Sequence, residues 1–173
     1  THGAINVVDA LRYSCNIFFY DLGRQLGIEN INRYSTQFGL AQPTGIEIPE
    51  SVGELSSPET KAKHEPQNPW TGGDVIQSAI GQLYNNFTPL QLANYIATLV
   101  NGGTRNAAHL LKEVKSSDFS QVLYTYEPEV LSTIDIQPEN LEAVKAGMLA
   151  LTTTGSVASA FRDLPVQVGA KTG

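Results

Sequence analysis

The sequence predicts an α+β domain. Three observations carry that prediction: capped helical stretches spread along the chain, one run rich in β-branched and aromatic residues, and no strand-helix alternation of the kind that builds a parallel sheet. The chain has 173 residues, of which 41% are hydrophobic, 16% charged and 8% aromatic. That balance suits a packed core, because disordered chains are poorer in apolar residues and richer in charge. A single domain of this size removes roughly 70% of its unfolded surface from water, so neither a disulfide nor a structural metal is needed for stability.

The elements follow in order. Asn6, with Asp9 and the apolar Val7, Ala10 and Leu11 behind it, predicts a short capped helix ending near Ser14. Phe18, Leu22 and Leu26 recur every four residues, and Gly27 predicts a helix stop; Ile28, Ile31, Tyr34 and Phe38 repeat the pattern up to Gly39. From residue 40 to 73 the density of Pro and Gly predicts a long irregular segment that could line a site, with a short strand possible at Gly45 to Ile48. Thr88-Pro89-Leu90-Gln91 is a strong helix start, and Asn101-Gly102-Gly103 ends that helix. Val114, Phe119, Val122, Tyr124, Tyr126, Val130 and Ile134, broken by Ser116-Ser117-Asp118 and Pro128, predict short strands and turns. Pro138 opens a further helix with Leu141, Val144, Met148 and Leu151 on one face. Gly155 to Phe161 reads as a short helix, and Val166 to Thr172 as a strand.

Composition removes several function classes. Eleven Lys+Arg against seventeen Asp+Glu leave a net charge of −6, without the basic footprint of a nucleic-acid binder. No stretch approaches the ~20 apolar residues of a membrane span, and the N-terminus has no signal pattern. Three His and one Cys show no metal-ligand spacing. Neither a phosphate-binding glycine loop nor a Gly-x-Ser-x-Gly elbow occurs. A chain that begins without Met and stops at Lys171-Thr172-Gly173 after an apolar run is expected to be a piece of a longer protein.

Two short motifs remain, Ser14-Cys15-Asn16 and Lys171-Thr172-Gly173. Taken singly, Ser14 and Asn16 read as helix caps, and Lys-Thr-Gly as a strand end before a turn. Together they suit acyl transfer. A Ser hydroxyl can pass a proton to a leaving amine, an Asn amide can hold a substrate amide, and a Lys cation can favour the transfer. Thr offers a hydroxyl to a substrate carboxylate, and Gly lets a substrate strand approach without a Cβ in the way.

The stretch His2 to Asn16 with Phe18-Phe19-Tyr20, then Ile80-Gly81-Gln82, Thr88-Pro89-Leu90-Gln91-Leu92-Ala93, Asn101-Gly102-Gly103 and Lys171-Thr172-Gly173, resembles the transpeptidase domain of penicillin-binding proteins over nearly the whole chain. The resemblance implies a serine β-lactamase-like fold, an antiparallel sheet flanked by helices, with residues 1–173 forming part of it. It implies a D,D-transpeptidase of elongation or division that cross-links the D-Ala-D-Ala ends of peptidoglycan stem peptides through a seryl acyl-enzyme. In that scheme Ser14, Asn16 and Lys171 are catalytic, and Thr172 and Gly173 bind substrate. β-Lactam antibiotics are implied as ligands, no metal or organic cofactor is implied, and the parent protein is expected to be membrane-anchored with this domain on the extracytoplasmic face. Rival readings are a β-lactam sensor, a relative with the fold but no chemistry, and a serine β-lactamase or D,D-carboxypeptidase.

Some departures bear on the expectation. No Ser has Lys three residues later, so the family's Ser-x-x-Lys nucleophile is not in this sequence, and the 173 residues alone are expected to be inactive. Leu83 stands where many relatives have Gly. Glu65 invites comparison with a deacylating base but reads better as a solvated loop residue. Trp70 reads as a loop anchor ahead of a groove residue, and Cys15 as a small buried side chain. An unfinished sheet edge makes self-association of the fragment plausible.

Overall fold

The structure is a computed structural model that describes residues 2–173. Its helices are α1 (Val7–Arg12), α2 (Asn16–Gln37), α3 (Pro58–His64), α4 (Gly72–Ser78), α5 (Pro89–Val100), α6 (Pro138–Thr153) and α7 (Ala158–Phe161). The strands β1 (Thr104–Asn106), β2 (Glu113–Lys115), β3 (Val122–Thr125) and β4 (Val130–Thr133) lie between α5 and α6. Two compact units result: Thr1–Arg33 with Leu55–Asn85 and Ile136–Gly173, and Tyr34–Glu54 with Asn86–Asp135.

In the first unit α1 packs along α6. The approach depends on Gly147, where a Cβ would stand 2.7 Å from Leu11 Cδ1 and 3.2 Å from the Val8 carbonyl. Ala10 and Leu151 are fully buried, as are most of Met148 and Gly147. The predicted cap is present, with the Asp9 N–H donating to Asn6 Oδ1 at 3.0 Å. Gly27 stops the first half of α2 as predicted: its φ of 75° and ψ of 161° are not helical, so the span is two helices joined at a sharp glycine turn, with Asn30 Nδ2 donating to the Leu26 carbonyl at 2.7 Å across it.

The stretch expected to be irregular contains α3 and α4. Ser57 caps the first with its Oγ on the Thr60 N–H at 3.1 Å, and Pro58 follows at the first helical position. Thr71 opens the second, its N–H donating to Asp74 at 2.7 Å. Lys61 of α3 then meets Asp74 of α4 in a buried ion pair, with Nζ 2.8 and 2.9 Å from the two carboxylate oxygens. Leu83, following α4, has φ 72°. A γ-branched residue held there loses about 1–2 kcal/mol to Cβ crowding, partly offset by its lower unfolded-state entropy than Gly. Leu83→Gly is therefore expected to raise stability by about 0.5–1 kcal/mol, read as a higher urea midpoint with unchanged slope; a lower midpoint refutes it.

In the second unit α5 starts as predicted, with Thr88 and Gln91 exchanging side-chain and backbone bonds at 3.0 and 3.1 Å. The Gln91 side chain also donates to the carbonyls of Gln42 and Val52, which ties the 42–52 loop to the helix. No strand forms at Gly45–Ile48. Glu50 takes the Thr44 N–H and hydroxyl and the Gly45 N–H, so groups that a ladder would use are already bonded. The β-rich run folds into two antiparallel ribbons, β1 with β4 and β2 with β3.

Candidate active site

The site is built on the end of α1. Ser14 has φ 48°; its N–H donates to the Leu11 carbonyl at 3.1 Å and the Cys15 N–H to the Ala10 carbonyl at 2.9 Å. This is the Schellman closure, with Ser in the left-handed position that glycine usually fills. The cost is about 1–2 kcal/mol of backbone strain, and the result is a hydroxyl set on a rigid turn. Cys15 points inward and is buried, in line with the small-apolar reading. Asn16 is the first residue of α2 and is exposed.

The run 166–172 forms no strand and pairs with none among the described residues, which corrects the predicted strand. It lies on α6, where the Ala170 N–H donates to the Met148 carbonyl at 3.1 Å and the Thr152 hydroxyl to the Val168 carbonyl. One helix thus carries both halves of the site: α1 with Ser14 and the run with Lys171.

Their side chains meet. Lys171 Nζ donates to Ser14 Oγ at 2.8 Å, to the Thr172 carbonyl at 2.6 Å and to Thr172 Oγ1 at 3.1 Å. Ser14 Oγ and Thr172 Oγ1 are 2.6 Å apart, close enough for a hydrogen bond in either direction. Lys171 is exposed as a residue, yet its ammonium is packed among these oxygens, and the loss of water there lowers its pKa from the ordinary lysine value. Of the five residues singled out, Ser14, Lys171 and Thr172 form one hydrogen-bonded cluster. Asn16 and Gly173 are exposed at its margins, and a Cβ on Gly173 would meet nothing within 4 Å.

Glu65 accepts from the Tyr84 hydroxyl at 2.5 Å and from Asn68 Nδ2 at 2.9 Å. The bond from Tyr84, then that from Asn68, holds its carboxyl below the usual range, and the same contact pushes the Tyr84 phenol up to about 12. A carboxylate stabilised in its charged form is a weaker base, which fits the solvated-loop reading. Trp70 is half-buried between α3 and α4. The pair Lys61–Asp74 was not singled out from the sequence; the only local signal was Asp74 three residues after Thr71. Among the described residues no group of three His, Cys, Asp or Glu side chains could hold a metal ion, and no helix is long and apolar enough to cross a membrane.

Comparison with known proteins bears on the same residues. The family model for the penicillin-binding protein transpeptidase domain matches residues 1–173. The chain is 34% identical over 178 residues to the peptidoglycan D,D-transpeptidase MrdA of Haemophilus influenzae, covering 99% of this chain and 26% of that protein. It is 29% identical to penicillin-binding protein 2A of Bacillus subtilis, covering 99% and 25%. The chain therefore spans about a quarter of the length of these relatives. Among solved structures, penicillin-binding protein PBP2 from Helicobacter pylori superposes with a TM-score of 0.81 at 26% identity, covering 99% of this chain and 31% of that one. Pseudomonas aeruginosa PBP2 in complex with WCK 5153 does so at 0.81 and 27%, covering 98% and 38%. With a family model running through all 173 residues and solved members sharing the fold, this chain belongs to the penicillin-binding protein transpeptidase domain family.

Proposed function

We propose that the protein carrying this chain is a peptidoglycan D,D-transpeptidase that also binds β-lactams, and that these residues supply its proton-transfer and carboxylate-binding groups. The observation that carries the reading is the 2.8 Å bond between Lys171 and Ser14, which joins residues 157 positions apart. A cation donating to a hydroxyl oxygen makes that hydroxyl a better acid. When a nucleophilic serine from residues outside these 173 attacks the penultimate D-Ala carbonyl, its hydroxyl proton passes to Ser14 as Ser14 passes its own to the departing D-Ala amine, and the scissile C–N bond breaks. An acceptor amine then attacks the ester and forms the cross-link; it loses a proton to Ser14, which returns one to the serine oxygen as the ester C–O bond breaks.

The remaining roles follow from position. Thr172 Oγ1 offers its hydrogen to the terminal carboxylate of the donor peptide, Asn16 orients the donor amide, and Gly173 leaves room for the peptide backbone. The parent acts at the extracytoplasmic face of the cell membrane, held by an anchor outside these residues. Glu65 bears on the hydrolytic alternative: tied to Tyr84 and Asn68, it is poorly suited to activating a deacylating water.

The test is intact-mass analysis of the full-length protein after a labelled penicillin is added. The expected result is a stoichiometric adduct that persists; rapid loss of the adduct favours a β-lactamase, and no adduct favours a relative without chemistry. The 173 residues by themselves are expected to gain no mass, and a stable stoichiometric increase would overturn the assignment of the nucleophile to residues outside them.

A further inference from the structure

The run that carries Lys171 has no ladder to hold it among the described residues, so its position depends on what fastens it to α6. Two hydrogen bonds do this, Ala170 N–H to the Met148 carbonyl and the Thr152 hydroxyl to the Val168 carbonyl. Met148 and Thr152 are four residues apart, hence on one face of the helix, and both are buried. On the adjoining side a half-open pocket of about 330 Å³, bordered by Thr152, Phe161, Leu164, Val166 and Val168, leaves that face of the run to solvent.

We propose that Thr152 is a positioning residue for acylation: its hydroxyl, by holding the Val168 carbonyl, sets how far Lys171 reaches toward Ser14. The inference rests on the transpeptidase reading of the Ser14–Lys171 cluster. Thr152 acts through the short segment from Val168 to Lys171, whose Ala170 N–H is held by the Met148 carbonyl of the same helix, so the two ties together fix where the Lys171 backbone starts. The Lys171–Ser14 bond, at 2.8 Å, stops being a useful hydrogen bond beyond about 3.5 Å. A rearrangement of the segment that lengthens this bond by about 0.7 Å uncouples the pair. Thr152 Oγ1 also lies 2.9 Å from the Leu149 carbonyl of its own helix. One hydroxyl hydrogen serves both acceptors, so the tie to Val168 is absent in any side chain lacking the hydroxyl.

The experiment compares Thr152→Val, Thr152→Ala and Thr152→Ser in the full-length protein, measuring penicillin acylation as separate noncovalent-affinity and acylation-rate terms, beside urea unfolding. Thr152→Val keeps the shape and removes the hydroxyl, and its acylation rate constant is expected to fall roughly tenfold with affinity little changed. Thr152→Ser restores the hydroxyl and most of the rate. If the Val variant fails to fold, the Ala and Ser pair gives the same comparison. Equal rates in variants with and without the hydroxyl, or a slow Ser variant of normal stability, overturn the role of Thr152. Absence of any adduct in the unchanged protein overturns the transpeptidase reading and this inference with it.

Discussion

Replacing Asp74 with alanine is expected to destabilise the protein by roughly 3 kcal/mol, because it leaves the ammonium of Lys61 buried without its counter-charge. Both side chains are nearly closed to solvent, and Asp74 takes two bonds from Lys61 and two from Thr71. Burial by itself would raise the Asp74 pKa. The bonds from Lys61 and Thr71 outweigh it and leave the carboxyl below the ordinary aspartate value. The sign of the pH effect follows. A carboxyl whose folded pKa lies below its unfolded value, about 3.9, contributes its full stability above that value and loses it as pH falls through the folded pKa. Acid should therefore weaken the native protein below about pH 4, and part of that slope should vanish in Asp74→Ala. Lys61→Met combined with Asp74→Leu should be less damaging than Asp74→Ala, since no unpaired charge remains; urea unfolding of the native protein and these two variants across pH decides the matter. A single variant as stable as the native protein removes the pair from the account.

Lys171→Ala is expected to slow acylation by penicillin about 100-fold or more while leaving the fold intact, because the side chain is exposed and its bonds run only to Ser14 and Thr172. Ser14→Gly sharpens the test by separating stability from chemistry. Glycine relieves the positive φ of 48°, so the variant should be about 1 kcal/mol more stable, yet it lacks the hydroxyl and should acylate as slowly as Ser14→Ala. Ser14→Ala keeps the strain and should show no such gain. Unchanged acylation kinetics in Lys171→Ala would remove Lys171 from the mechanism, and normal acylation in both Ser14 variants would remove Ser14.

Three helix starts were legible from a few neighbouring residues: Asn6 caps α1 and Thr88-Pro89 with Gln91 opens α5 by supplying bonds that the helix end lacks, and Pro138 opens α6 through its fixed φ. Ser57-Pro58 and Thr71 with Asp74 carried signals of the same kind that were not read. They were hidden among turn formers, and their helices, at seven residues each, are too short to display a 3.6-residue period. The glycine at residue 27 was legible as a helix stop because its positive φ is a local requirement, and two helices do meet there, with Asn30 donating to the Leu26 carbonyl across the turn.

Local chemistry, then, determined the α+β character, the capped helices, the β-rich run and the two motifs whose residue types suit acyl transfer, because those signals act over a few residues. Everything that brings distant groups together was decided only in three dimensions. The Glu50 carboxylate takes the N–H groups of Thr44 and Gly45, so the expected strand at residues 45–48 does not form. The β-branched residues of Val166 to Thr172 favour a strand, but a strand also needs a partner, and here the run is fastened to α6 instead. Lys61 finds Asp74 across 13 residues, and Lys171 finds Ser14 across 157, through the packing of α1 on α6 at Gly147. Propensity is a property of neighbours along the chain, whereas a hydrogen bond between remote side chains exists only after the backbone between them has been folded and packed.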